Sequence, residues 1–117
     1  MKTIYESILS SVGAGKAAFP NRIYKVGDIL FTIFSYSAII PTFYQVIGLK
    51  GKSSVVVKEI DKRNSGNGMS GTTIPEKDTF VKNAKELTVR ISKNKLKIDG
   101  LTAYKWNGEP LSYDYSD

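Results

Sequence analysis

The sequence predicts a mainly β protein: a short N-terminal helix, then about five to seven antiparallel strands closing into a small SH3-like barrel or a strongly curved sheet. Beyond residue 20, short runs of Ile, Val, Phe, Tyr and Thr alternate with turn residues, which is typical of a β meander. The 117 residues fit one domain, and 41% hydrophobic residues favour a folded chain. An orthogonal sandwich is the alternative. The predicted core comprises Ile29, Phe31, Ile33, Val46, Val55, Val57, Val89, Ile91, Leu96, Ile98 and Trp106.

The N-terminal segment has the pattern of a helix. Thr3 and Glu6 have the spacing of a capping box, in which each side chain satisfies a backbone N–H that the helix leaves unpaired. The residues that follow place apolar side chains on one face. We therefore predict a single domain over residues 1–117, with a helix at 1–13 and the β meander at 22–117.

Residues 29–49 form an uncharged run of 21 residues, which is long enough to span a bilayer as a helix. Pro41 and several polar residues interrupt it, however, and β-branched and aromatic residues dominate. This composition favours two buried strands. We predict a first strand at Ile29–Phe34, and then a hairpin of Phe43–Leu49 against Ser53–Ile60. No membrane association is expected.

Two segments are rich in turn residues. Residues 61–73, DKRNSGNGMSGTT, contain three glycines and no apolar period, which predicts an exposed mobile loop. Asn107 and Gly108 favour a two-residue hairpin turn. The strands before and after this turn would then pair with each other and place several aromatic side chains on one face. This aromatic stripe would either seal a core or bind a partner. The candidate contact residues in this stripe are Tyr104, Tyr113 and Tyr115.

A basic hairpin is predicted in ELTVRISKNKLKIDG, residues 86–100. A turn at Lys93 and Asn94 would make Ile91 face Leu96 on one apolar side, and basic side chains would cover the other side. This face could follow the phosphates of a nucleic acid or an acidic protein surface. Solvated lysines that protect a sheet edge are the alternative explanation. The candidate binding residues are Lys82, Lys85, Arg90, Lys93, Lys95 and Lys97.

The composition argues against an enzyme. The chain contains no cysteine and no histidine, which excludes thiolate nucleophiles, imidazole bases and most zinc sites. Glu59 and Asp61 would point to one face of a strand but have no third acid at a suitable spacing. The GAGK segment at 13–16 lacks two defining residues of a phosphate-binding loop. We expect no catalytic residue, metal or cofactor, and the absence of cysteine fits a reducing cytoplasm.

The charge distribution is uneven. The 17 basic and 11 acidic residues give a net charge of +6, yet from Glu109 onward there are three acids and no base. A basic protein favours polyanions or acidic partner surfaces.

Three motifs resemble a group of small accessory proteins from phages and mobile elements of Gram-positive bacteria. They are PTFYQVIGLKGKSSVVVKEI, PEKDTF and the terminal AYKWNGEPLSYDYSD, and the resemblance covers roughly residues 22–117. It implies an accessory protein that acts in the cytoplasm of the host bacterium. Such proteins include inhibitors of host defence, among them anti-CRISPR proteins that bind a type II Cas nuclease.

Two functions therefore stand as expectations. The first is a non-enzymatic anti-defence protein, most concretely an anti-CRISPR inhibitor that binds a host defence protein such as a Cas nuclease or its guide RNA complex. Because the chain is basic, it would not mimic DNA phosphates. The second is a small basic β-barrel protein that binds nucleic acid and regulates or protects that of the mobile element.

Overall fold

A mainly β architecture is confirmed by the computed structural model, which describes residues 20–93 and 95–115. These residues form a closed antiparallel β-barrel with a short 3-10 helix at Pro20–Ile23. The predicted helix at 1–13 lies outside the described residues. Eight strands are described, rather than five to seven: β1 Ile29–Ser35, β2 Ile39–Lys50, β3 Ser54–Gly66, β4 Ser70–Phe80, β5 Leu87–Arg90, β6 Leu96–Ile98, β7 Leu101–Lys105 and β8 Leu111–Asp114.

The long β2–β3 ribbon is shared by two rings of strands. The strand order is β5-β3-β4-β8-β2-β1-β7-β6, and β2 pairs in addition with β3. One ring therefore contains β2, β3, β4 and β8. The other contains β3, β2, β1, β7, β6 and β5, and it closes where Ser92 and Lys95 exchange two backbone hydrogen bonds of 2.9 Å.

The uncharged run at 29–49 forms strands, as predicted. Ile29 pairs with Gln45 and Ser35 with Ile39 in the β1–β2 hairpin, and β2 continues through a turn after Lys50 into β3. Within residues 20–93 and 95–115, no helix has the length and apolar character needed to cross a membrane.

The larger ring encloses the main hydrophobic core. Six of the eleven predicted core residues are confirmed there, because Val46, Val55, Val57, Ile91, Leu96 and Ile98 are all buried. Val89 packs against this cluster. The remaining members are Tyr24, Leu30, Tyr44 and Ala103.

The predicted inward face of β1 is wrong. Leu30 and Thr32 are buried, whereas Ile33 is exposed and Phe31 is only half-buried. Successive side chains of a strand point to opposite faces, so a shift of one position exchanges the two sets. Both sets contain bulky apolar residues in this strand, and hydrophobicity alone could not distinguish them.

A second buried cluster lies on the other face of β2. Phe43 is 0% exposed and is adjacent in sequence to the core residue Tyr44, so it points away from the main core. The Trp106 ring approaches Phe43 edge-on at 6.2 Å between ring centroids, and Trp106 is half-buried rather than a core residue. Ile60 and Tyr113 are buried outside the main cluster as well.

The prediction of a loop at residues 61–73 is wrong in its secondary structure. β3 continues to Gly66 and β4 begins at Ser70, so these residues form most of a long hairpin. At its tip, the side-chain oxygen of Asn67 accepts hydrogen bonds from the N–H groups of Met69 and Ser70 at 2.9 and 3.0 Å. The polar composition reflects strands whose side chains are largely exposed.

The terminal hairpin predicted around Asn107 and Gly108 is also wrong. β7 pairs with β1 and β6, whereas β8 pairs with β4 and β2. The local turn is nevertheless present, because the Asn107 side chain accepts the Glu109 N–H at 3.0 Å and Gly108 has a φ of 96°. A turn signal therefore identified the bend but not the partner strands.

Asn21 fixes the turn between β2 and β3, and replacing it tests this contact. Its buried side-chain amide donates to the carbonyl oxygens of Gly51 at 3.2 Å and Ser54 at 2.9 Å. We expect Asn21→Ala to lower the free energy of unfolding by about 1–3 kcal/mol, since the carbonyls lose a buried donor. Asn64→Ala, at an exposed position, should change it by less than about 0.5 kcal/mol. Urea denaturation measures both, and equal effects would contradict this role of Asn21.

Candidate functional site

A cleft of about 780 Å³ separates β5 from β6. The two strands are joined near their common turn by the bridge between Ser92 and Lys95, and residues 20–93 and 95–115 show no further pairing between them. Beyond that bridge, β5 pairs with β3 and β6 pairs with β7. The lining consists of Glu86, Leu87, Thr88, Val89, Arg90, Ser92, Lys93, Lys95, Lys97, Ile98 and Asp99.

Like charges on β5 and β6 oppose closure of the cleft. If the pairing of Ser92 with Lys95 continued along a ladder, Arg90 would lie directly opposite Lys97. Like charges at directly opposed positions destabilise a strand pair. The predicted hairpin is therefore correct at its turn and on its apolar side, but its ladder does not extend beyond the bridge.

The rim of the cleft is cationic. Arg90, Lys93, Lys95 and Lys97 line it with exposed side chains. In the described part of the chain, none of these four forms an ion pair. The acids of the lining, Glu86 and Asp99, lie away from the turn that carries the bases. The turn end of the cleft is therefore the part suited to an anion.

The floor of the cleft is apolar. Leu87, Val89 and Ile98 line it and also contact the main core. In the main core, against which Leu87 and Val89 pack, burial raises the pKa of Tyr44 above its ordinary value of 10.0, and the carboxylates of Asp99 and Glu59 raise that pKa further. The Tyr44 hydroxyl therefore stays neutral at physiological pH and adds no negative charge to the site.

Backbone groups also face the cleft. The N–H of Ile91 donates to Ser53 at 2.7 Å on the β3 side, and backbone groups of an antiparallel strand alternate in direction. The N–H and C=O groups of Thr88 and Arg90 consequently point away from β3. On the opposite side, Lys95 bonds toward Ser92, so the backbone of Lys97 faces the cleft by the same alternation.

Four of the six predicted basic site residues therefore lie together. Lys82 and Lys85 are exposed in the connection between β4 and β5 and do not line the cleft. The two lysines share the charge of the site residues but not their location, which makes them matched controls.

The three predicted aromatic contact residues do not form one surface. Tyr104 is exposed, and its ring centroid lies 5.7 Å from that of Phe31. Tyr113 is buried, and the Tyr115 ring packs on it with 5.2 Å between the ring centroids. The stripe predicted from a β7–β8 hairpin is wrong because those strands do not pair, and none of the three lines the cleft.

An exposed apolar tip was missed by the sequence reasoning. Tyr36 is 89% exposed between β1 and β2, and Phe34 and Ile39 beside it are exposed as well. Met69, at the β3–β4 turn, is exposed too, and both turns meet the end of β8 at Asp114. The signal was present in the sequence, since Ser35 and Ser37 flank Tyr36 as turn residues would.

Within the described ranges 20–93 and 95–115, no three His, Cys, Asp or Glu side chains are grouped so that they could hold a metal ion. Glu59 and Asp61 both lie in β3, which extends past the predicted end at Ile60, and Asp61 is exposed. Neither belongs to the cleft lining.

Comparison with protein-family models, with curated proteins and with solved structures gave no match to this chain.

Proposed function

We propose that this chain is a non-enzymatic binding protein that holds an acidic segment of a partner protein in the cleft between β5 and β6. One observation carries the proposal: four cations without described ion-pair partners surround an apolar floor. Charged rims around apolar centres are typical of sites that recognise polypeptides. A chain with these properties can act by occupancy alone.

The lining favours a protein over a nucleic acid. Single-stranded nucleic acids bind on aromatic side chains that stack against the bases. The cleft lining contains no aromatic residue, and its acids, Glu86 and Asp99, would repel phosphates at that end. Carboxylates on a peptide can be placed at the cationic turn end only, with apolar residues elsewhere.

The biological role that fits this surface is inhibition of a bacterial defence protein, as the motif resemblance implies. A type II Cas nuclease, alone or with its guide RNA, would be the target in the bacterial cytoplasm. Binding without turnover would suffice, because an inhibitor needs only a stable scaffold and a complementary surface. The positive charge supports contact with an acidic protein face rather than with the DNA channel.

The test uses purified type II Cas nuclease with and without guide RNA, and a 20-nucleotide single-stranded RNA as a third probe. We expect the protein to form a stoichiometric complex with the nuclease that survives ribonuclease treatment and blocks DNA cleavage. Binding to the RNA alone, with a steep loss of affinity as salt rises, would instead support the nucleic-acid function. Absence of binding to the nuclease in both forms would reject this target.

A further inference from the structure

We infer that the partner segment is bound as an added β-strand along the open edge of β5. This inference rests on the proposed function and specifies how the acidic segment is held. β5 and β6 stand at the two ends of the strand order. Exposed strand edges present rows of backbone donors and acceptors that pair readily with another chain.

The edge of β5 offers backbone groups at the correct spacing. Among the described residues, Leu87 to Arg90 pair with β3 on one side only, and the N–H and C=O groups of Thr88 and Arg90 point into the cleft. Those two residues are two positions apart, which is the repeat at which an antiparallel neighbour forms its hydrogen bonds. The edge of β6 is shorter, at three residues, so β5 offers the better edge for an added strand.

The two faces of β5 determine the side chains of the added strand. Leu87 and Val89 point inward to the core, and Arg90 points outward. Because side chains alternate between faces, a strand beside β5 would present every second residue to the apolar floor. The intervening residues would lie beside Arg90 and Lys97. The structure therefore selects an extended segment of alternating apolar and acidic residues, about four residues long to match β5.

Thr88 allows the backbone contribution to be isolated. Thr88→Pro removes the N–H that faces the cleft and leaves the hydrogen bonds between β5 and β3 in place, since proline is tolerated at the open side of an edge strand. Thr88→Ala removes the side chain and keeps the N–H. The two variants thus separate strand addition from side-chain contact.

The probe is a fluorescein-labelled peptide of alternating Val and Glu, eight residues long. We expect wild-type protein to bind it, Thr88→Ala to bind within about twofold, and Thr88→Pro to lose about tenfold in affinity. Two further peptides carry N-methyl groups on either the Val or the Glu positions. Only one of the two should lose about tenfold, because a single edge of the peptide faces β5.

The outcomes distinguish this inference from the proposed function. Equal binding of both N-methylated peptides and of Thr88→Pro would overturn strand addition while leaving the electrostatic site intact. If no peptide binds while a 20-nucleotide single-stranded RNA still does, both strand addition and the proposed binding of an acidic protein segment would be contradicted. Circular dichroism checks that Thr88→Pro remains folded, and the N-methylated peptides test the inference on wild-type protein if it does not.

Discussion

The double reversal Arg90→Glu and Lys97→Glu is expected to abolish binding of an acidic partner, with a loss of at least about 100-fold in affinity. The two residues lie on opposite sides of the cleft, so the change turns attraction into repulsion at the point where the partner's carboxylates approach. The variant should keep its fold, because both side chains are exposed. Fluorescence titration with the alternating Val and Glu peptide measures the change.

The matched control is Lys82→Glu with Lys85→Glu, which changes the net charge by the same amount outside the cleft. We expect this control to bind within about threefold of wild type. Similar losses in both double variants would show that net charge, and not the cleft, attracts the partner.

The single change Arg90→Glu gives a second signature. The variant places a negative side chain at position 90 opposite the positive Lys97. This attraction favours pairing of β5 with β6 beyond the Ser92–Lys95 bridge. We expect a small rise in melting temperature together with loss of peptide binding, because the cleft would close. Retained binding by this variant would contradict the account of the open cleft.

Phe43→Ala should have the largest effect on stability. Phe43 is fully buried against Trp106 in the second cluster, and truncation of a buried phenylalanine costs about 3–5 kcal/mol. The matched control is Phe34→Ala, because Phe34 is 49% exposed near the β1–β2 turn. That change should cost less than about 1 kcal/mol. Guanidinium denaturation of both variants measures the difference, and equal midpoints would show that the second cluster contributes little.

Local patterns predicted the parts of the fold that depend on neighbours in sequence. The β2–β3 hairpin and the first strand follow from apolar runs separated by turn residues, and the structure places them where expected. The hairpin around Asn107 and Gly108 was wrong because β7 and β8 each find a partner far away in the chain. No local signal contains that information, since a two-residue turn restricts the direction of the chain but not its tertiary partners.

The candidate site was predictable in its chemistry but not in its shape. Alternation in residues 86–100 placed Arg90, Lys95 and Lys97 on one face, and the structure agrees. The cleft itself depends on β5 joining β3 while β6 joins β7. Lys82 and Lys85 lie outside the cleft because of the course of the connection between β4 and β5. The number of charges in the sequence does not reveal that course.

The positions of β7 and β8 in the strand order have a consequence for how the chain folds. Leu30 pairs with Lys105, and Ile39 pairs with Asp114, so both rings are completed only after β7 and β8 have been synthesised. Until then β1 and β4 keep open edges, which are sites of aggregation. Long-range pairing of this kind slows folding to milliseconds or longer. A chain that is truncated before β8 is therefore expected to aggregate more readily than one that contains β8, because the edge of β4 stays unpaired.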